Sequence, residues 1–204
     1  MKRTRHAFWF VALLGFSARF AAAATFTVIN TNDSGTGSLR QAITDANGAG
    51  PGPHTIAFDI PGSGIQTITL LTAPPALDVS SGGITVDATT QPGYAGSPLV
   101  AIDCGGADLI VFNFAGSGGA IKGLAVGNCG VVVDSGASTS ITVQACHIGV
   151  DAAGTTATPN NQGISIDETQ FLIGGPAAAD RNLISANQEW GIFIGSLGSA
   201  RKMH

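Results

Sequence analysis

Ile56-Ala57-Phe58-Asp59, Ile84-Thr85-Val86-Asp87, Val100-Ala101-Ile102-Asp103, Val131-Val132-Val133-Asp134 and Ile164-Ser165-Ile166-Asp167 repeat one phrase: apolar, any residue, apolar, aspartate. Ile192-Phe193-Ile194-Gly195 repeats it once more with glycine in place of the acid. Two apolar side chains in alternation share one face of a short strand, and an acid suits the turn that follows. A chain that repeats a strand and a turn builds a stack. The phrases start 28, 16, 31, 33 and 28 residues apart, and all but the second interval fit one supersecondary unit per repeat of roughly 20 to 50 residues. The 16-residue step is too short. Asp87 and Asp103 are therefore expected on different sheets of one coil, or on an irregular first coil, and the five aspartates do not form one column.

The same alternation extends to Ile68 with Leu70 and to Ile141 with Val143, which predicts one face inward and one outward. Leu109 to Phe112 and Val131 to Val133 are apolar throughout and predict burial on both faces or an apolar outer patch. Breakers separate the runs: Pro61-Gly62, Gln91-Pro92-Gly93, Gly116 to Gly119 and Gly174-Gly175-Pro176. Gly contributes 29 of 204 residues and only 11% are charged, as expected of many short strands joined by tight turns. The stretch from Asp151 to Asn161 has no periodicity and reads as a loop leaving the stack.

One segment changes period. Leu39, Ala42, Ile43 and Ala46 fall at helical spacing, with Ser38 in front as N-cap and Gly48 behind as stop. A helix this short is unstable alone, so its apolar stripe must cover something, and the open end of a strand stack is the natural place. Before it, Thr25 to Asn30 reads as a first strand.

Residues 1–24 read as a secretory signal peptide. Lys2, Arg3, Arg5 and His6 form a basic start, Ala7 to Ala18 an apolar run, and Ala22-Ala23-Ala24 a small-residue site with cleavage expected after Ala24. The run is too short to cross roughly 30 Å of hydrocarbon, so no membrane span is expected after cleavage; Arg19, late in the apolar region, leaves a retained anchor as the rival. Removing Lys2, Arg3, Arg5 and Arg19 leaves 9 − 4 = 5 basic residues against 13 acids, a net charge of −8. Such a surface repels polyanions and excludes nucleic acid as a partner.

Cys104, Cys129 and Cys146 make an odd count for an exported chain, compatible with one disulfide and one free thiol or with three small buried hydrophobes. Ile121 to Asn128 and Arg181 to Asn187 form a second repeat, each closing an apolar pair with a small residue and Asn. Asn tolerates positive φ at a corner and bonds neighbouring backbone, so stacked Asn residues are expected to form a ladder.

Gly37-Ser38-Leu39-Arg40-Gln41-Ala42-Ile43 with Ala46-Asn47, Ile56 to Gly64, Thr90 to Gly96, Ile148 to Thr155, and Ile173-Gly174-Gly175 with Arg181 to Ser185 together resemble secreted bacterial proteins of the pectin-lyase-like superfamily. The resemblance covers nearly the whole chain after the signal. It implies an all-β fold, a right-handed parallel β-helix solenoid of three sheets per coil with a short N-terminal capping helix. Residues 25–50 would be the first strand and cap, 51–195 the coils, and 196–204 an irregular basic tail. Family members continue through more coils, so the chain reads as C-terminally truncated; the rival is a short protein whose last coil is covered by a partner or by self-association through that open coil.

The resemblance also brings polysaccharide lyases and hydrolases into view. Glycoside hydrolysis needs two carboxylates roughly 5 to 10 Å apart, one kept protonated. Asp134, Asp167 and Asp103 are the candidates, Asp134 with Asp167 the stronger pair. The opposing reading is that an acid at a strand end accepts turn N–H bonds. The polygalacturonase signatures Asn-Thr-Asp, Asp-Asp, Gly-His-Gly and Arg-Ile-Lys are absent, and Lys122 and Arg181 are the only bases the coils offer a pectate lyase. His147 reads as a turn or core residue. No cofactor is expected; a structural calcium is the alternative, and it would need six to eight oxygens, more than one Asp per coil supplies unless side-chain amides and backbone carbonyls contribute. The expected function is a secreted or surface-exposed, non-catalytic scaffold for adhesion or carbohydrate contact, with extracellular polysaccharide or a cell surface as partner. The alternative is a polysaccharide-degrading enzyme or its inactive remnant.

Overall fold

The computed structural model describes residues 22–79, 82–116, 118–134, 140–166 and 170–195. Most of the expected signal peptide, Asp167 and the tail from Ser196 lie outside the described residues. Strand β1 (Ala24–Val28) is followed by the helix α1 (Leu39–Gly48), then by β2 (His54–Phe58), β3 (Gln66–Thr69), β4 (Leu77–Val79), β5 (Ile84–Asp87), β6 (Val100–Asp103) and β7 (Ile110–Gly116). Next come β8 (Gly119–Lys122), β9 (Leu124–Gly127), β10 (Val131–Asp134), β11 (Ile141–Gln144) and β12 (His147–Ile148). The last are β13 (Gln162–Ile166), β14 (Phe171–Ile173), β15 (Leu183–Ile184) and β16 (Trp190–Ile194).

These strands form three sheets, ordered β1-β2-β5-β8-β11-β14, β3-β6-β9-β12-β15 and β4-β7-β10-β13-β16. Their pairings are parallel. From β2 onward the chain visits first, second and third sheet in strict rotation. The fold is thus all-β, parallel-stranded, with one α-helix among the described residues. Asp87 ends a strand of the first sheet and Asp103 a strand of the second, which explains the 16-residue interval as a step between neighbouring sheets.

The alternating apolar residues line up between rounds. Val86 pairs with Ile56 and Ile121 in the first sheet, Ile102 with Ile68 and Val126 in the second, and Val133 with Phe112 and Ile164 in the third. These columns meet in one buried cluster. Burial of one such side chain contributes about 1.5 to 3 kcal/mol. Val111 with Phe112 and Val132 with Val133 are buried on both faces of their strands, whereas Leu109, Ile110 and Val131 are only partly buried.

Helix α1 forms where the sequence places it. Ser38 caps it, its Oγ accepting from Gln41 N at 3.2 Å, and Leu39, Ala42, Ile43 and Ala46 are all buried. The helix packs on β1, β2 and β4. Arg40, on its other side, donates to the backbone oxygens of Asp33, Thr72 and Ala73 and pairs with the Asp33 carboxylate at 2.9 Å. Asp33 also accepts from Leu71 N at 3.0 Å. Burial opposes its charge, but the Leu71 N–H and the Arg40 guanidinium outweigh it and hold the carboxyl below its ordinary value. The first strand starts and stops slightly earlier than the expected Thr25 to Asn30. The chain already turns at Asn30, whose amide is bonded to Thr36 O and Asn32 N.

Of the two corner residues the repeat suggested, Asn187 joins an amide ladder and Asn128 does not. Asn160, fully buried, accepts from Cys129 N and donates to Val126 O and to Asn187 Oδ1; Asn187 in turn donates to Ile148 O. This corner therefore runs Cys129, Asn160, Asn187. Asn128 has the positive φ expected of it, 56°, but its amide donates to Asp103 instead. Ala186, two rounds on at the same corner, also has a positive φ, 60°, and stands directly before Asn187; Ala145 has one, 55°, at the preceding corner between β11 and β12, directly before Cys146, whose N–H is bonded to Asn182.

Candidate functional site on the second sheet

A surface groove of about 300 Å³ lies on the outer face of the second sheet. Its floor is built by register. Thr67 of β3 pairs with Ala101 of β6, which pairs with Ala125 of β9. Their side chains alternate with the buried Ile68, Ile102 and Val126 and so point away from the core. Small residues in the outer column leave a depression between β-strands. The next outward column is Thr69, Asp103 and Gly127, which places a carboxylate at one edge of the groove.

A wall of the groove is formed by the loop after β12. Val150 and Ala157 form an isolated antiparallel bridge, and Thr158 packs on Gly127, where any side chain would collide with the threonine. The loop expected to leave the stack therefore folds back over the second sheet. Its tip is held by Asp151, whose Oδ1 accepts from Thr155 N at 2.8 Å and Thr156 N at 3.1 Å. His147 Nδ1 bonds the backbone oxygen of Asp151 at 3.1 Å, a turn-securing role.

Asp103 accepts at Oδ1 from Gly105 N at 2.7 Å and from Asn128 Nδ2 at 3.2 Å. Asp87 likewise accepts from Thr89 N at 3.0 Å. At both positions the acid secures the turn after its strand. The residues directly following the groove pair Asp103 and Asn128 are Cys104 and Cys129, joined by a disulfide. Cys146 is a free, buried thiol, pushed up to about 12 by burial.

Of the predicted acids, Asp103 lies in the groove. Asp134 ends β10 on the third sheet, in register with Asn113 and Ser165, and is not on the sheet of Asp103. Asp167 lies outside the described residues. The repeat drew attention to acids at strand ends and overlooked Asp151, Thr158 and Asn160, which sit in an aperiodic loop. The available signal was local: Asp151 followed by Gly154-Thr155 is a turn in which an acid accepts backbone N–H bonds. Among the described residues no group of three or more His, Cys, Asp or Glu is placed to hold a metal ion, and no helix is long and apolar enough to cross a membrane.

The backbone N–H groups of Thr155 and Thr156 stabilise the ionised Asp151 and hold its carboxyl below the ordinary 3.8. Because the folded value is depressed, the tie is present above pH 3.8 and is lost as pH falls through the lower, folded value. The Thr155 and Thr156 amide resonances should titrate together with a midpoint below 3.8; a midpoint at or above it would contradict the tie.

Comparison with known proteins finds no matching family model, no matching curated protein and no matching solved structure.

Proposed function

We propose that this chain is an exported right-handed parallel β-helix of the pectin-lyase-like type, with α1 as its N-terminal cap, acting as a non-catalytic scaffold that contacts carbohydrate. The carrying observation is the groove on the second sheet, a depression of about 300 Å³ with acceptor oxygens of Asp103 and Asp151 at its walls. Its volume is at the low end of the range of roughly 300 to 1,000 Å³ usual for small-ligand sites. The rotation of the chain through three parallel sheets supports the solenoid reading. The Cys104–Cys129 disulfide supports export, since such bonds persist in oxidising compartments.

A non-catalytic role fits the ionisation of Asp151. A glycosidase acid must hold its proton near neutral pH, whereas backbone bonds draw Asp151 the other way. The test is a glycan-binding screen of the purified mature chain alongside reducing-end assays for cleavage. Binding without turnover is expected. Turnover that Asp134→Asn abolishes, with the β-rich circular dichroism intact, would replace this reading by the polysaccharide-degrading alternative.

A further inference from the structure

We infer that the groove selects a neutral, hydroxyl-rich saccharide and turns away polyuronates, an inference that rests on the carbohydrate-contact reading above. The groove is an acceptor surface. Asp103 and Asp151 both line it, Thr67 and Thr158 add hydroxyls, and Asn128 commits its amide nitrogen to Asp103. A carboxylate has about four lone-pair sites, and the bonds from Gly105 N and Asn128 Nδ2 occupy two of those on Asp103. Acceptor capacity therefore remains for donors on a ligand.

Among the described residues no basic side chain lines the groove. Among the described cations, Arg40 is engaged by Asp33 at the helix, Lys122 stands on the first sheet in register with Asp87, and Arg181 lies beyond the groove on the approach to β15. A uronate unit would bring a carboxylate into a groove lined by two carboxylates with nothing to compensate it, and like charges in a partly enclosed site repel strongly. Sugar hydroxyls instead donate to both acids in charge-assisted bonds. Ala101, half-buried beside the exposed Thr67, offers a small aliphatic floor on which the C–H face of a pyranose can rest.

The experiment is calorimetric titration of the full mature chain with neutral cello-, xylo- and malto-oligosaccharides and with oligogalacturonate of matched length, repeated on Thr67→Trp and Ala101→Phe. Thr67 is exposed, so filling the groove from that position spares the core, and a thermal melt verifies that each variant is folded. The expected result is a neutral oligosaccharide binding at least about tenfold more tightly than oligogalacturonate, with binding lost in folded Thr67→Trp. Asp103→Asn should narrow the difference between the two classes. Oligogalacturonate binding as tightly in the same groove would overturn the inference and leave carbohydrate contact standing. Binding of neither class, or binding that Thr67→Trp leaves unchanged, would remove the groove reading and the inference together.

Discussion

Ile164→Ala should destabilise the protein by about 2 to 5 kcal/mol, and Ile192→Ala, one strand further along the same column, by well under half of that. The two residues are register partners in β13 and β16 and have the same side chain. What differs is cover. Ile164 is 1% exposed between Val133 and Ile192, whereas Ile192 is 43% exposed on the last described strand of the third sheet. Truncating Ile164 leaves a cavity that the neighbouring rounds cannot fill, so the lost transfer energy and the lost contacts add. Truncating Ile192 removes area that water already reaches. Urea denaturation of both variants under identical conditions checks the contrast, and equal losses would show that the last round is covered in solution.

Removing the disulfide is the second large effect. Cys104→Ala with Cys129→Ala opens a crosslink of sequence separation 25, and loop-closure entropy sets its contribution at about 3.5 kcal/mol. The bond joins the ends of β6 and β9, adjacent strands of the second sheet, and lies next to both Asp103 and Asn128. Reduction should therefore lower the urea midpoint and loosen the hydrogen bond between those two side chains, weakening any ligand held in the groove. Thiol counting supplies the control. The native protein should show no reactive thiol, because the buried Cys146, pushed up to about 12, is neutral and inaccessible, and the unfolded protein should show one. Two further reactive thiols in the folded, non-reduced protein would contradict the crosslink.

The parts of the fold legible in the sequence are those set by local chemistry. Ser38, the Leu39-Ala42-Ile43-Ala46 stripe and Gly48 define α1 almost to the residue, since capping and 3.6-residue periodicity act within a few positions. The apolar-x-apolar phrases mark inward pairs such as Val100 with Ile102 because a strand alternates whatever surrounds it. Asn160 was not legible. Its three bonds reach Cys129, Val126 and Asn187, residues about thirty positions away that only the stacking of rounds brings near. The corner repeat suggested Asn128 for that place, yet its amide donates to Asp103 of the preceding round instead.

The candidate site divides in the same way. Asp103 stood out in the sequence as an acid at a strand end, and its turn bond to Gly105 N is local. The groove is not local. It exists because small side chains at Thr67, Ala101 and Ala125 fall into one outward column, and because Thr158 needs a glycine at 127 to pack against. By itself the sequence determined which segments become strands, which one becomes a helix, and which faces are apolar, because these follow from side-chain period and turn chemistry over a few residues. The tertiary structure decided which acids share a sheet, which cysteines meet and where a ligand could rest, because register between distant strands is set by the joint packing of whole columns.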